Sequence, residues 1–187
     1  MTDQSAEGLL SPWLRSKRMQ AAEPWLHGRI LDFGCGSGAL AKQVSSDRYL
    51  GIDRDATSLQ RAAEHFPHHV FLGELPEERE EFDTVVALAV IEHVDDPARF
   101  LQMLSVYLSA SPEARLVLTT PHPAVDWVHD AGSAIGLFSR HANEEHEALL
   151  DRVRLESAGE QAELELVTYR RFLFGANQLA VYARQVA

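Results

Sequence analysis

The sequence predicts an α/β domain of three layers: a mostly parallel, seven-stranded sheet between helices, with an antiparallel last strand. Two observations carry the prediction. From residue 29 onward, short apolar runs alternate with amphipathic stretches, the pattern of parallel strands joined by crossover helices. The chain then closes on two apolar runs flanking Gly175-Ala176-Asn177, a hairpin-type turn that sets the final strand against the rest. Sheets of this kind bind ligands beyond the carboxyl ends of their strands, where the strand order reverses.

The elements follow in chain order. Ser11-Pro12 opens a helix, Ser as cap and Pro in the first turn, that runs to about Pro24, whose ring clashes inside a helix. Arg29 to Phe33 reads as a strand, Gly36 to Val44 as a helix, Tyr49 to Ile52 as a strand, Ala56 to His65 as a helix and His69 to Leu72 as a strand. Phe82 to Ala89 is a long apolar run suited to a central strand covered on both faces. Pro97 to Leu108 places Phe100, Leu101, Leu104 and Leu108 on one helical face, and Arg115 to Thr120 is a strand stopped by Pro121-His122-Pro123. Residues 124–150 lose the pattern. A helix over Asp151 to Ala162 and strands over Leu164 to Phe174 and Gln178 to Arg184 complete the chain. The expected organisation is one domain over 1–187: a helical cap at 1–27, a ligand-binding core at 28–123, a lid at 124–150, and a closing helix and hairpin at 151–187.

Composition narrows the function. Seventeen Lys and Arg against 28 Asp and Glu give a net charge of −11, and the one dense basic cluster is Arg15, Lys17 and Arg18. That is a poor footprint for nucleic acid, whose binding draws on many neutralised phosphates. No apolar stretch approaches the roughly 20 residues of a membrane helix. The polar start, Met1 to Gly8, and the single cysteine, Cys35, lead us to expect a cytoplasmic protein without disulfides. The oligomeric state is not legible.

The strongest signal is Ile30-Leu31-Asp32-Phe33-Gly34-Cys35-Gly36-Ser37-Gly38, a buried strand running into three glycines and a helix start. Glycine lets a ligand approach the backbone, and a helix start offers unpaired N–H groups. Nineteen positions after Gly34, Asp53 ends the second strand, placed to accept from both ribose hydroxyls of a nucleoside. Taken alone, Asp53 reads equally well as a helix cap before Ala56.

Dinucleotide folds usually show G-x-G-x-x-G, whereas here the pattern is Asp32-x-Gly34-x-Gly36-x-Gly38. This resembles the first motif of class I S-adenosylmethionine-dependent methyltransferases. The resemblance continues through Gly51-Ile52-Asp53, Gly73-Glu74, Phe82-Asp83-Thr84-Val85-Val86, Ile91-Glu92-His93-Val94 and Leu116-Val117-Leu118-Thr119-Thr120-Pro121, covering residues 28–123. It implies a Rossmann-like fold, S-adenosyl-L-methionine as cofactor and a small-molecule acceptor. It further implies that Phe33, Gly34, Cys35, Gly36 and Gly38 lie under the methionine part and ribose, with Asp32 shaping the loop. Asp53, with Arg54 beside it, would hold the ribose hydroxyls. Gly73, Glu74 and Leu75 would flank the adenine, and Ala89, within the backbone of residues 87–90, would face the amino group and sulfonium. The rival reading is a non-catalytic module that binds the same nucleoside as a regulator; a different nucleoside, such as the decarboxylated cofactor, is a third.

Methyl transfer needs the acceptor's lone pair held behind the S–CH₃ bond in a dry site, and a weakly acidic hydroxyl also gains from a base. His93 and His122 follow the fourth and fifth strands, so they are the expected catalytic pair, with His93 favoured. The Glu92-His93 pair also resembles part of the divalent-metal site of ubiquinone-pathway and small-RNA methyltransferases. There a Glu stands three residues before the pair; here that position is Ala89, so no metal is expected. The chain lacks the Asn/Asp-Pro-Pro-Tyr motif of enzymes acting on base amines or glutamine amides. Trp127 and Phe138 in the lid, and Trp13, Arg15 and Arg18 in the cap, are candidates to close over the ligands.

Overall fold

The computed structural model describes residues 11–76, 80–123 and 150–185. Seven strands form one sheet: β1 Ile30–Phe33, β2 Tyr49–Ile52, β3 Val70–Leu72, β4 Thr84–Leu88, β5 Arg115–Pro121, β6 Leu164–Phe172 and β7 Asn177–Arg184. Their order is β3-β2-β1-β4-β5-β7-β6. β7 runs antiparallel to both of its neighbours, so the other six strands point one way. The chain leaves β1 for β2 on one side, while β4 flanks β1 on the other. The carboxyl ends of β1 and β4 therefore frame the crevice where such sheets take ligands.

Among the described residues, four helices cover the sheet: α1 Ser11–Ala22, α2 Ala56–His65, α3 Pro97–Ser105 and α4 Arg152–Gln161. Aspartates start three of them. Asp55 accepts from the backbone of Thr57 and Ser58, Asp96 from Arg99 and Asp151 from Arg154, contributing roughly 1 kcal/mol apiece.

Alternation along each strand divides the core. Leu31, Val85, Ala87, Leu116, Leu118 and Tyr182 face α3 and α4, meeting Phe100, Leu101, Leu104 and Leu155. Ile30, Val86, Val117, Leu179 and Val181 face the opposite side, against Ala22 of α1 and Leu40, Ala41 and Val44. Burying each large aliphatic side chain contributes roughly 1.5–3 kcal/mol.

Most expected elements stand within a few residues of their predicted ends; two differ in kind. The helix expected over Gly36–Val44 is instead a string of tight turns ending in a 3₁₀ turn, Leu40–Gln43. Gly36 and Gly38 sit at φ +53° and +78°, outside the right-handed helical region, and each turn closes on an i→i+3 bond (Gly38 N–H to Cys35 O, Ala41 N–H to Gly38 O). The closing turn is Leu173–Ala176, beginning two residues earlier than expected. Leu173 and Phe174 take left-handed conformations at φ +54° each, ahead of Gly175. The expected lid falls, except for Leu150, outside the described residues, as does the start of the cap before Ser11.

Candidate active site

The glycine loop is tied to the second strand before any ligand is considered. The N–H groups of Gly34 and Cys35 both donate to the carbonyl of Ile52, at 2.8 and 3.0 Å. Gly36 N–H donates to Oδ2 of Asp53 at 2.7 Å, and Asp55 N–H to Oδ1 at 2.9 Å. A carboxylate offers about four lone-pair positions, so two remain for an incoming pair of hydroxyls. Asp53 is half-buried at the mouth of the crevice.

The two glycines on either side of Cys35 do different work. At Gly34 (φ +78°) a Cβ would stand 2.5 Å from Cγ2 of Val90, so glycine lets the loop close against the turn after β4. At Gly36 (φ +53°) a Cβ would meet nothing within 4 Å. Among the described residues that space is open, as a cradle for a nucleoside requires.

Beneath the loop, Asp32 is buried, and Tyr49 donates its hydroxyl to Oδ2 of Asp32 at 2.6 Å. Tyr49 is opposite Ile30 in the β1–β2 register, so its ring lies on the same sheet face and reaches diagonally to Asp32. Burial pushes the Asp32 carboxyl up to about 7, against the pull of the Tyr49 hydrogen bond and with a further push from Asp53. Cys35 is buried too, and burial followed by the charges of Asp32 and Asp53 drives its thiol far above the ordinary range. It carries no thiolate at neutral pH. Phe33 turns its ring into the core, edge-on to Phe100 at 5.6 Å, so only its backbone belongs to the loop.

The remaining expected cofactor residues line the rim. Arg54, Gly73 and Glu74 are exposed, and Leu75 packs part-buried against the core. Ala89 holds a left-handed φ of +60° while its N–H donates to Thr119 O at 2.8 Å. A non-glycine residue there is strained, and such strain gathers at ligand sites.

The turn after β4 separates two neighbouring side chains. His93 is exposed, whereas Glu92 is only 5% exposed and, among the described residues, its Oε2 has no partner at hydrogen-bond distance. Burial raises the Glu92 carboxyl; its own backbone N–H, Arg18, Thr120 and His93 oppose that rise. The hydroxyls of Thr119 and Thr120, at the end of β5, are buried and, among the described residues, likewise have no partner at hydrogen-bond distance, though that of Thr120 faces Glu92. Arg18 reaches in from α1, donating Nε–H to Asn177 Oδ1 at 3.0 Å. Burial lowers its guanidinium pKa, offset in part by Glu92. His122 is tied through its backbone N–H to Ala176 O at 3.0 Å. Partial burial, then Arg171, lowers its imidazole, against Asp151.

Sequence reasoning named the motif that contains Glu92 but looked to its histidine; it passed over Tyr49 and Thr120. The β1–β2 register, once known, points to Tyr49. Nothing in the order of residues says which of Glu92 and His93 turns inward. Among the described residues, no three His, Cys, Asp or Glu side chains group to hold a metal, and no helix is long and apolar enough to cross a membrane.

Comparison with known proteins identifies the family. The family described as a methyltransferase domain matches residues 9–169. The chain therefore belongs to that family, within the class I, S-adenosylmethionine-dependent methyltransferases. Similar proteins include the ubiquinone biosynthesis O-methyltransferases of Rhodopseudomonas palustris (strain BisA53), 33% identical over 101 residues, and of Bradyrhizobium diazoefficiens, 31% identical over 101 residues. Each alignment covers 49% of this chain and 39% of the relative, so the chain spans about two-fifths of the length of the curated relatives it matches. Among solved structures, the magnesium protoporphyrin IX methyltransferase of Synechocystis PCC 6803 with bound SAH superposes with a TM-score of 0.69 at 14% identity, over 98% of this chain and 90% of that one. The PH0226 protein of Pyrococcus horikoshii superposes with a TM-score of 0.70 at 13% identity, over 98% and 95% of the two chains. These likenesses show the fold, and the family's cofactor is S-adenosylmethionine.

Proposed function

We propose that this chain transfers the methyl group of S-adenosylmethionine to an oxygen of a small-molecule acceptor. The observation that carries the reading is the open face at Gly36 beside Asp53, whose carboxylate is already oriented by two backbone N–H groups and keeps room for two more donors. Asp53 would take the ribose hydroxyls, with Arg54 beside it. The turn Gly73–Leu75 would flank the adenine. The backbone at Gly34 and Ala89 would meet the methionine end, with Arg18 closing from α1. The cofactor supplies an activated methyl group on a sulfonium.

The protein's part is then to hold the acceptor's lone pair in line and keep water out. The acceptor would enter over the carboxyl ends of β4 and β5, between His93 and His122. The printed names of the curated relatives favour oxygen as the methylated atom. The acidic net charge argues against a nucleic-acid acceptor, and the single, buried cysteine favours the cytoplasm.

The test is label transfer from methyl-labelled S-adenosylmethionine into a metabolite extract, with the product identified by mass spectrometry. An O-methyl product is expected. A protein that binds the cofactor yet labels nothing is the regulatory module instead, and a product methylated at nitrogen, sulfur or carbon removes the oxygen assignment.

A further inference from the structure

We propose that Glu92 is the residue that takes the acceptor's hydroxyl hydrogen, with the Thr120 hydroxyl beside it, and that the acceptor is therefore a small molecule bearing a weakly acidic, phenol-type hydroxyl. The inference rests on the oxygen-directed reading above. It starts from an anomaly in hydrogen bonding. Glu92 is 5% exposed and Thr120 is 1% exposed, yet among the described residues Glu92 Oε2 and Thr120 Oγ have no partner at hydrogen-bond distance, although the Thr120 hydroxyl faces the Glu92 carboxyl. Buried polar atoms are nearly always satisfied, and an orphan calls for a reason. Here the orphans meet at one place, the turn after β4 and the last residues of β5, which is where the acceptor must approach the methyl group.

The surroundings say what kind of group is missing. A carboxylate oxygen is an acceptor only, so it calls for a donor. Among the described residues, the charges facing Glu92 are Arg18 from α1 and His93 on its own turn, with the neutral Thr120 hydroxyl from β5. Arg18 is committed to Asn177 and makes no ion pair with Glu92, so it favours the carboxylate's charge without filling the position at Oε2. A hydroxyl fits there. Its hydrogen goes to Oε2, and the Thr120 hydroxyl can donate to its oxygen. As that oxygen forms its bond to the methyl carbon, the O–H bond breaks and the proton passes to Glu92. The S–CH₃ bond breaks with it, and its electron pair returns to sulfur. Burial, which raises the Glu92 carboxyl, makes it a better proton acceptor than an exposed carboxylate. His93, exposed on the same turn, has no such place in the step.

The experiment uses phenol and catechol as probe acceptors with methyl-labelled S-adenosylmethionine, comparing wild type, Glu92→Gln and Thr120→Val. Calorimetry with S-adenosylhomocysteine and thermal melting are run on all three. Wild type should form the O-methyl ether of at least one probe without added metal. Glu92→Gln should bind S-adenosylhomocysteine within about threefold of wild type, melt no lower, and lose kcat by about 10²–10⁴. It should also lose the acidic limb of the kcat/KM profile. Thr120→Val should raise KM for the probe more than it lowers kcat. The inference is overturned by any of four results: wild-type turnover and pH profile in Glu92→Gln; no ether from either probe by wild-type protein that binds S-adenosylhomocysteine; a requirement for a divalent ion; or a Glu92→Gln protein that melts several degrees lower and loses S-adenosylhomocysteine, which would make Glu92 a structural residue. Wild-type protein that fails to bind S-adenosylhomocysteine would instead refute the proposed function itself.

Discussion

Replacing Asp32 by Asn should stabilise the protein, and the gain should depend on pH. Asp32 is 3% exposed, so its charge is not screened by water, and burial lifts its carboxyl from 3.8 to about 7. The folded state therefore holds a proton that the unfolded chain releases near pH 4. Stability from this group is fully present below the unfolded value and is lost as pH rises towards the folded one. The whole excursion corresponds to roughly 4 kcal/mol, an upper figure because the surroundings relax. Asn cannot ionise, and its carbonyl still accepts from the Tyr49 hydroxyl, so the buried hydrogen bond at 2.6 Å survives the change. The assay is urea unfolding of wild type and Asp32→Asn at intervals from pH 4 to pH 8. The advantage of the variant should grow steadily up to about pH 7 and then level off. A difference that does not change with pH, or one that shrinks as pH rises, would refute the reasoning. It would mean that Asp32 is stabilised as a carboxylate under the loop.

Asp53→Ala should weaken S-adenosylhomocysteine binding by about 1–3 kcal/mol in calorimetry. An analogue lacking both ribose hydroxyls should bind wild type and variant alike; full discrimination by the variant would place the ribose elsewhere. Exhaustive chelation should leave methyl transfer unchanged, since Ala89 stands where a metal-dependent relative has a carboxylate; loss of rate restored by magnesium or zinc would contradict this. His93→Ala and His122→Ala should leave cofactor affinity intact, and steady-state kinetics should show the acceptor's KM rising more than kcat falls, as for positioning contacts. Unaltered kcat and KM in both variants would leave the histidines without a part in acceptor binding.

Much of the fold was legible because local chemistry and global topology agree. Asp55, Asp96 and Asp151 each precede a stretch of helical spacing, and each caps the helix found there. The run Val85 to Leu88 is continuously apolar because β4 is covered on both faces. Gly36 to Val44 misled because its spacing suits a helix, while the positive φ of Gly36 and Gly38 becomes visible only once the loop is tied to Ile52 and Asp53. The site divides the same way. The glycine loop and Asp53 are contiguous signals, readable from spacing. Tyr49 and Thr120 enter through strand register, Arg18 is a cap candidate whose place beside Asn177 comes only from helix docking, and neither the exposure of His93 nor the burial of Glu92 is encoded in their order along the chain.

The central claim is that the loop from Asp32 to Gly38, with Asp53, forms a nucleoside cradle whose open face is at Gly36. The most direct measurement is calorimetric titration of S-adenosylhomocysteine into wild type and Gly36→Val, with circular dichroism to confirm the fold. A branched side chain there would fill the space where a Cβ now meets nothing within 4 Å, on a backbone at φ +53°. Saturable one-site binding by wild type and none by a folded Gly36→Val is the predicted result; equal affinity in the two proteins would contradict the account.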